Sequence, residues 1–320
     1  MTVFATLVRQ HVAGPTLSPD DASCTMDLDT DMSGTFNTAS KFIFGDGVQW
    51  LLRLPKDGFS TGKWTGTRAR HLRNTVELAR FIRRATKVPV PEVFAYGQDH
   101  NNPLGCPFVL EEFIDGTSVY DAWKESDVPD EEMHKIKANT IHDVAKAMVD
   151  LSRFTFSGIG SPTFTDGLPT FIKGSSLADV GPFMTTGLFE EGPYGDVESY
   201  IKSTLDQETD LPLDFYSMSL RMLMDWMLSI MGEPGPNVLF HPDLNESNII
   251  VDGKTGHLKA IIDWDFTRAE PKAFGINSYP MFISRDWDGD SDQFHDVCDD
   301  ALSYTLYEGE TEPRTIHGKY

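Results

Sequence analysis

Two short segments in the C-terminal half carry the side chains best suited to chemistry. The first is His241-Pro242-Asp243-Leu244-Asn245-Glu246-Ser247-Asn248, and the second is Asp263-Trp264-Asp265. Between them, Ile249–Val251 and Leu258–Ile262 read as two strands joined by a turn that contains Gly253 and Gly256. A hairpin there returns Asp263 toward the loop that bears Asp243 and Asn248. Such a set suits phosphoryl transfer. One carboxylate, Asp243, orients an attacking hydroxyl and accepts its proton. The oxygens of Asn248, Asp263 and Asp265 are hard ligands of the kind Mg²⁺ takes, and the cation offsets phosphate charge. A lone His-x-Asp is common in ordinary loops. The weight lies in the order of loop, hairpin and Asp-x-Asp. Within this chemistry His241 is a positioning residue before it is a catalyst. Asp265 is either a second metal ligand or a structural part of the turn.

The elements that must hold these residues follow from periodicity. Residues 35–44 and 48–54 alternate as strands around the tight turn Gly45-Asp46-Gly47, and Pro55 ends the pair. Leu72, Val76, Ala79 and Ile82 recur at helical spacing over 68–86, and Val88-Pro89-Val90-Pro91 stops that helix. Short strands follow at 93–97 and 108–113. Beyond Asp115-Gly116-Thr117 the pattern turns helical, over 130–153, 194–206 and 213–232. The first 30 or so residues read as a weak helix and an acidic connector. The chain is therefore expected to be α+β, with a β-rich part over 1–113 and a larger, mainly helical part over 114–320.

Composition narrows the partners. The 320 residues carry a net charge of −22, which repels polyphosphate backbones and disfavours nucleic acid. The same balance accommodates a neutral or amine-bearing small molecule. The segment Arg68–Lys87 departs from it, with seven Lys/Arg against one Glu, and reads as a solvated helix face. No apolar run is long enough to span a membrane, and no membrane partner is expected. The N-terminus lacks a signal-type pattern, and three scattered cysteines suggest neither disulfides nor zinc. A cytoplasmic setting is the expectation. The run Asp286–Asp292 resembles a calcium loop only loosely: its glycine is fourth rather than sixth, and Val297 stands where a glutamate belongs. It reads as an acidic surface loop, as does Glu190-Glu191.

HPDLNESNII followed by IIDWD resembles the catalytic and metal-binding motifs of the aminoglycoside phosphotransferase and choline-kinase-like family, in a fungal-type form. FVLEEFIDGT, PVPEVFAYG, SGTFN, WLLRLP and FSGIGSPTF extend the likeness over about residues 30–300. The resemblance implies a protein-kinase-like two-lobed fold, with ATP and Mg²⁺ as cofactors and a small-molecule hydroxyl as acceptor. It makes Asp243 the base and puts Asn248 and Asp263 on Mg²⁺. Arg53 would touch the α/β-phosphates, the backbone near Glu112 would meet adenine, and Gly34, Thr35 and Asn37 would cover the phosphates.

Three departures stand out. Arg53 occupies a position where protein kinases use Lys; it keeps the charge and adds a bidentate contact. Thr75 stands where the family's helix has a Glu to pair with that cation, and Glu77 lies about 200° further round the helix. Glu77 is better placed to pair with Arg73 or Arg80. SGTFN has too few glycines for a protein-kinase loop, and Asp263-Trp264-Asp265 replaces Asp-Phe-Gly. These departures leave two other readings open: an inactive binding protein of the same fold, or a biosynthetic tailoring enzyme that reuses it. The substrate is not encoded in any motif, and residues 117–235 are expected to build its site.

Overall fold

The computed structural model describes residues 1–14, 17–27, 34, 36–60, 62–124, 127–170, 176–179, 188–207, 215–230, 235–274 and 314–316. The chain divides into two compact units, Met1–Arg84 with Val90–Asp115 and Ala85–Pro89 with Gly116–Tyr320. Residues 85–89, on the N-terminal side of position 113, thus belong with the second unit.

The first unit is built on an antiparallel sheet of β1 (Cys24–Asp27), β2 (Asn37–Phe44), β3 (Gln49–Pro55), β4 (Val93–Gly97) and β5 (Phe108–Glu112), in the order β1–β2–β3–β5–β4. The turn between β2 and β3 needs Gly47, whose φ is 83°. Alternation sorts the side chains onto two faces. Phe42, Trp50, Leu52, Phe108 and Leu110 bury one face against Ala5 of α1 (Thr2–Ala13), with a short α2 (Pro19–Ala22) after it. On the other face Val109 packs with Val93 and with Leu72 and Val76 of α3 (Gly66–Ala85). The expected apolar stripe of α3 is the buried one: Leu72, Val76, Ala79 and Ile82 all lie inside. The acidic connector holds one element more than its sequence suggests. β1 pairs Cys24 with Phe44 at the sheet edge; Cys24 and Met26 alternate onto the core, but two apolar residues are too few to mark a strand within an acidic connector.

In the second unit the long helices expected from the sequence are present as α5 (Asp130–Leu151), α6 (Val197–Gln207) and α7 (Phe215–Ile230), after a one-turn α4 (Val119–Ala122). Short strands lie between them. β6 (Thr117–Ser118) joins β13 (Ile249–Val251) and β14 (Leu258–Ile261) in the order β14–β13–β6. β7 (Phe154–Phe156), β12 (Asn237–Phe240), β15 (Arg268–Pro271) and β16 (Arg314–Ile316) form a sheet in the order β15–β12–β7–β16. Two further hairpins are β8 (Thr163–Thr165) with β9 (Leu168–Thr170), and β10 (Ser176–Asp179) with β11 (Leu188–Glu191). Glu190 and Glu191 therefore stand on a strand, not in the loop expected for them. Asp286–Asp292 lies outside the described residues.

Two strand pairs frame the chemically interesting loops. β12 leads into His241, and β15 leaves Asp263-Trp264-Asp265; the two pair with Phe240 opposite Arg268. β13 follows Asn248 and β14 precedes Asp263; they pair with Ile249 opposite Ile261. The tip of that second hairpin is anchored on α5. Thr140 Oγ1 donates to Gly256 O (2.8 Å) and Asn139 Nδ2 to Thr255 O (2.8 Å). Gly256 is required there: its φ is 73°, and a Cβ would come within 2.1 Å of Ile136 O, a backbone atom. Gly256→Ala should cost about 2–3 kcal/mol through overpacking and left-handed strain. A urea melt should show a lowered midpoint at unchanged slope.

Candidate functional site

The loop from His241 to Asn248 is folded by its own polar side chains. Asn245 closes an Asx turn: its Oδ1 accepts from the N–H groups of Ser247 (2.8 Å) and Asn248 (3.2 Å). Its Nδ2 donates to Asp243 Oδ1 (2.6 Å). Asn248 Nδ2 donates to the other carboxylate oxygen, Asp243 Oδ2 (2.9 Å), and to Asp243 O (2.9 Å). Asp243 is exposed, so two amides aim a carboxylate that substrate can reach. Both partners of the Asn248 amide nitrogen are oxygens, which fixes the orientation of the amide. Its Oδ1 is turned the other way, and no described residue donates to it.

His241 is 2 % exposed and spans the loop and the following hairpin. Its Nδ1 accepts from Asp243 N–H (3.2 Å), so the proton sits on Nε2, which donates to Ile262 O (3.0 Å). Trp264 packs edge-on against its ring with centroids 4.8 Å apart, and Trp264 Nε1 donates to Ile261 O (2.9 Å). Both ring nitrogens are spent on backbone, so the geometry is that of a positioning group. Ile262 is held at both ends of its residue: its C=O by His241, and its N–H by Asn248 O (2.9 Å). Asp263 comes next, with φ 60°, and Phe266 has the same φ. Asp tolerates this region; for Phe it is an outlier that surrounding structure must enforce. The Asp243, Asn248 and Asp263 segments are thus brought together within the second unit.

The donor set fits Mg²⁺. The Asn248 amide oxygen and the neighbouring carboxylate-bearing turn offer two or three hard ligands, which suits a cation that keeps waters and substrate phosphates. It does not suit a closed metal cage, and among the described residues no cluster of three or more His, Cys, Asp or Glu forms one.

The first unit holds the remaining candidates. Arg53 on β3 forms an ion pair with Glu111 on β5, Nε to Oε1 at 2.9 Å. Glu112 N–H donates to Glu92 O (2.8 Å) and Phe113 N–H to Gln49 O (3.2 Å). Both donors are therefore engaged, and an adenine contact at Glu112 would use its carbonyl. Gly34 N–H donates to Asn37 O (3.0 Å), which closes the loop at the start of β2. Thr35 lies outside the described residues. Glu77 pairs with Arg80 at 3.4 Å, one of the two partners expected for it. Two residues of interest escaped the motif reading. Asn245 could have been found from its Asp-x-Asn spacing. Glu111 is signalled only by a charge within an apolar strand.

Burial lowers the pKa of His241 below its usual value. The neutral ring is favoured when folded, so the unfolded chain takes up the proton first as pH falls. The stability due to this histidine is full above about pH 6.5 and is lost below it. Between pH 7.5 and 5.5, His241→Asn should lose less stability than the wild type, as measured by parallel denaturant melts.

The sequence pattern of the phosphotransferase enzyme family (APH) matches residues 33–274. A Candida glabrata protein named Altered inheritance of mitochondria protein 9, mitochondrial, is 22% identical over 319 residues, covering 75% of this chain and 48% of its own length. The protein of the same name from Candida albicans (strain WO-1) is 32% identical over 147 residues, covering 46% of this chain and 22% of its own. The chain thus spans about half or less of these relatives. A Ralstonia eutropha JMP134 structure, provisionally named an aminoglycoside phosphotransferase, superposes with a TM-score of 0.51 at 13% identity, covering 82% of this chain and 65% of that one. The names of the fungal relatives correct the expectation of a cytoplasmic protein. Cysteine count and the lack of a signal-type N-terminus do not separate the cytoplasm from a mitochondrial compartment. The fold is α+β and kinase-like, and the chain belongs to the phosphotransferase enzyme family.

Proposed function

We propose that this protein is an ATP- and Mg²⁺-dependent phosphotransferase that moves the γ-phosphate of ATP to a hydroxyl of a small molecule. One observation carries the reading. Asn248 spends its amide nitrogen on the Asp243 carboxylate, no described residue donates to its amide oxygen, and its backbone carbonyl holds Ile262, the residue preceding Asp263. The same side chain thereby aims the base and presents a metal ligand. Asn248 Oδ1 and the Asp263 carboxylate would hold Mg²⁺, with Asp265 as a further ligand or a support of the turn. Bound there, the cation would supply charge neutralisation to the phosphates.

The roles of the chain's own residues follow. Asp243 accepts the proton of the substrate hydroxyl. That oxygen forms the new bond to the γ-phosphorus while the bond from phosphorus to the β–γ bridging oxygen breaks, and ADP leaves. Asn245 and Asn248 keep the Asp243 carboxylate turned to the hydroxyl, so catalysis is largely positioning. His241 acts through the backbone it holds. Arg53 contacts the α/β-phosphates, the Glu112 carbonyl meets the adenine amino group, and Gly34, Thr35 and Asn37 cover the phosphates. Residues 117–235 build the acceptor site. The acidic balance of the chain favours an amine-bearing acceptor over an anionic one. The names of the fungal relatives support a mitochondrial setting.

A panel of small alcohols and amino alcohols with Mg-ATP, read by product mass, tests the activity. A product heavier by one phosphoryl group is expected. Asp243→Asn should lower kcat by about 10²–10⁴-fold and leave Mg-ATP affinity unchanged. Full activity in that variant would remove Asp243 as the base.

A further inference from the structure

Glu111 is a buried charge for which neither the motifs nor the proposed reaction accounts. On β5, Phe108 and Leu110 enter the core beside Trp50 and Leu52. Val109 and Glu111 face the opposite side, where Val109 meets Leu72 and Val76 of α3. In the β3–β5 register Arg53 lies opposite Val109, and Leu51 opposite Glu111. Arg53 and Glu111 are thus diagonal neighbours on one face. Their groups meet side-on, with Nε–Oε1 at 2.9 Å and Nη2–Oε2 at 3.4 Å. The two side chains are 19% and 12% exposed.

A guanidinium has five N–H donors. Glu111 accepts one of them, from Nη2, while Nε lies against Oε1 as an ion partner with no hydrogen bond of its own. A lysine ammonium, a compact point charge on a flexible stem, could not meet the carboxylate through two nitrogens. In protein kinases the phosphate-binding cation is paired by a glutamate of the helix that follows. Here the helix offers Thr75, and its nearby Glu77 is engaged with Arg80.

We infer that Glu111 is a positioning residue for Arg53. From the neighbouring strand it takes the part of the absent helix carboxylate, and it holds the guanidinium in place for the phosphates. This rests on the proposed function in one respect, the contact between Arg53 and phosphate. Because both partners belong to one sheet, their pairing does not depend on the placement of α3. Three departures from the kinase pattern then have a single cause: Arg in place of Lys at 53, Thr at 75, and a buried Glu at 111.

Calorimetric titration of Mg-ATP and of adenosine separates a role at the phosphates from a role in sheet stability. Glu111→Gln should weaken Mg-ATP by roughly tenfold, the scale of a charge-assisted hydrogen bond, and leave adenosine unchanged. Arg53→Lys should do the same, and it carries the test if Glu111→Gln does not fold. The double variant should be no weaker than the weaker single one, because one interaction is lost once. Unchanged Mg-ATP affinity in Glu111→Gln, or equal losses for Mg-ATP and adenosine, would overturn the inference while the proposed function stands. A wild-type protein that binds adenosine and Mg-ATP equally well removes Arg53 from the phosphates and overturns the inference with it. Failure of the wild type to bind Mg-ATP at all overturns both.

Discussion

Residue Ile262 is held from two sides. Its N–H donates to Asn248 O and its C=O accepts from His241 Nε2. These two bonds join the loop that carries Asp243, the proposed base, to the turn that carries the candidate metal ligands. The first continues the β13–β14 pairing to the edge of the site, and the second ties His241 to it. The left-handed φ of Asp263 and Phe266 costs about 1–3 kcal/mol at each residue. It persists because Ile262 is clamped on one side and β15 is paired with β12 on the other.

The clamp is effective because its back is apolar. Ile249, Val251, Ala260 and Ile261 of the hairpin are fully buried, and Trp264 covers the ring of His241. A buried imidazole is expensive to charge, so it stays neutral with one donor and one acceptor, which is the state the two backbone bonds require. Downstream, β15 is fixed in turn: Arg268 pairs with Glu270, which accepts from the Tyr200 hydroxyl of α6 (2.8 Å). Polar groups at the surface are thus aimed by a chain of contacts that runs inward to core packing.

The sequence made the local parts of this arrangement readable. The spacing of Asp243, Asn248 and Asp263 is a property of one loop and one hairpin, and hairpin register follows from short-range alternation and turn glycines. The long helices and the inner strands of the first sheet were readable for the same reason. Pairings between distant segments were not. The contact between Glu111 and Arg53 depends on β3 and β5 becoming neighbours, and the family pattern had directed attention to the helix. β1 was hidden because its alternation rests on two residues, Cys24 and Met26, within an acidic connector. Glu190 and Glu191 have the composition of a loop but lie on a strand whose partner is β10. Asn245 was passed over because it lies inside the motif without being one of its named positions, although its side chain closes the turn and aims Asp243.

Asn248 and Asp263 are proposed to serve one divalent cation together with a nucleotide. Mn²⁺ can stand in for Mg²⁺, and its affinity in the presence of a non-hydrolysable ATP analogue is readable by electron paramagnetic resonance. Asn248→Ala and Asp263→Asn should each weaken that affinity by about tenfold or more relative to the wild type. Wild-type Mn²⁺ affinity in both variants would contradict the account.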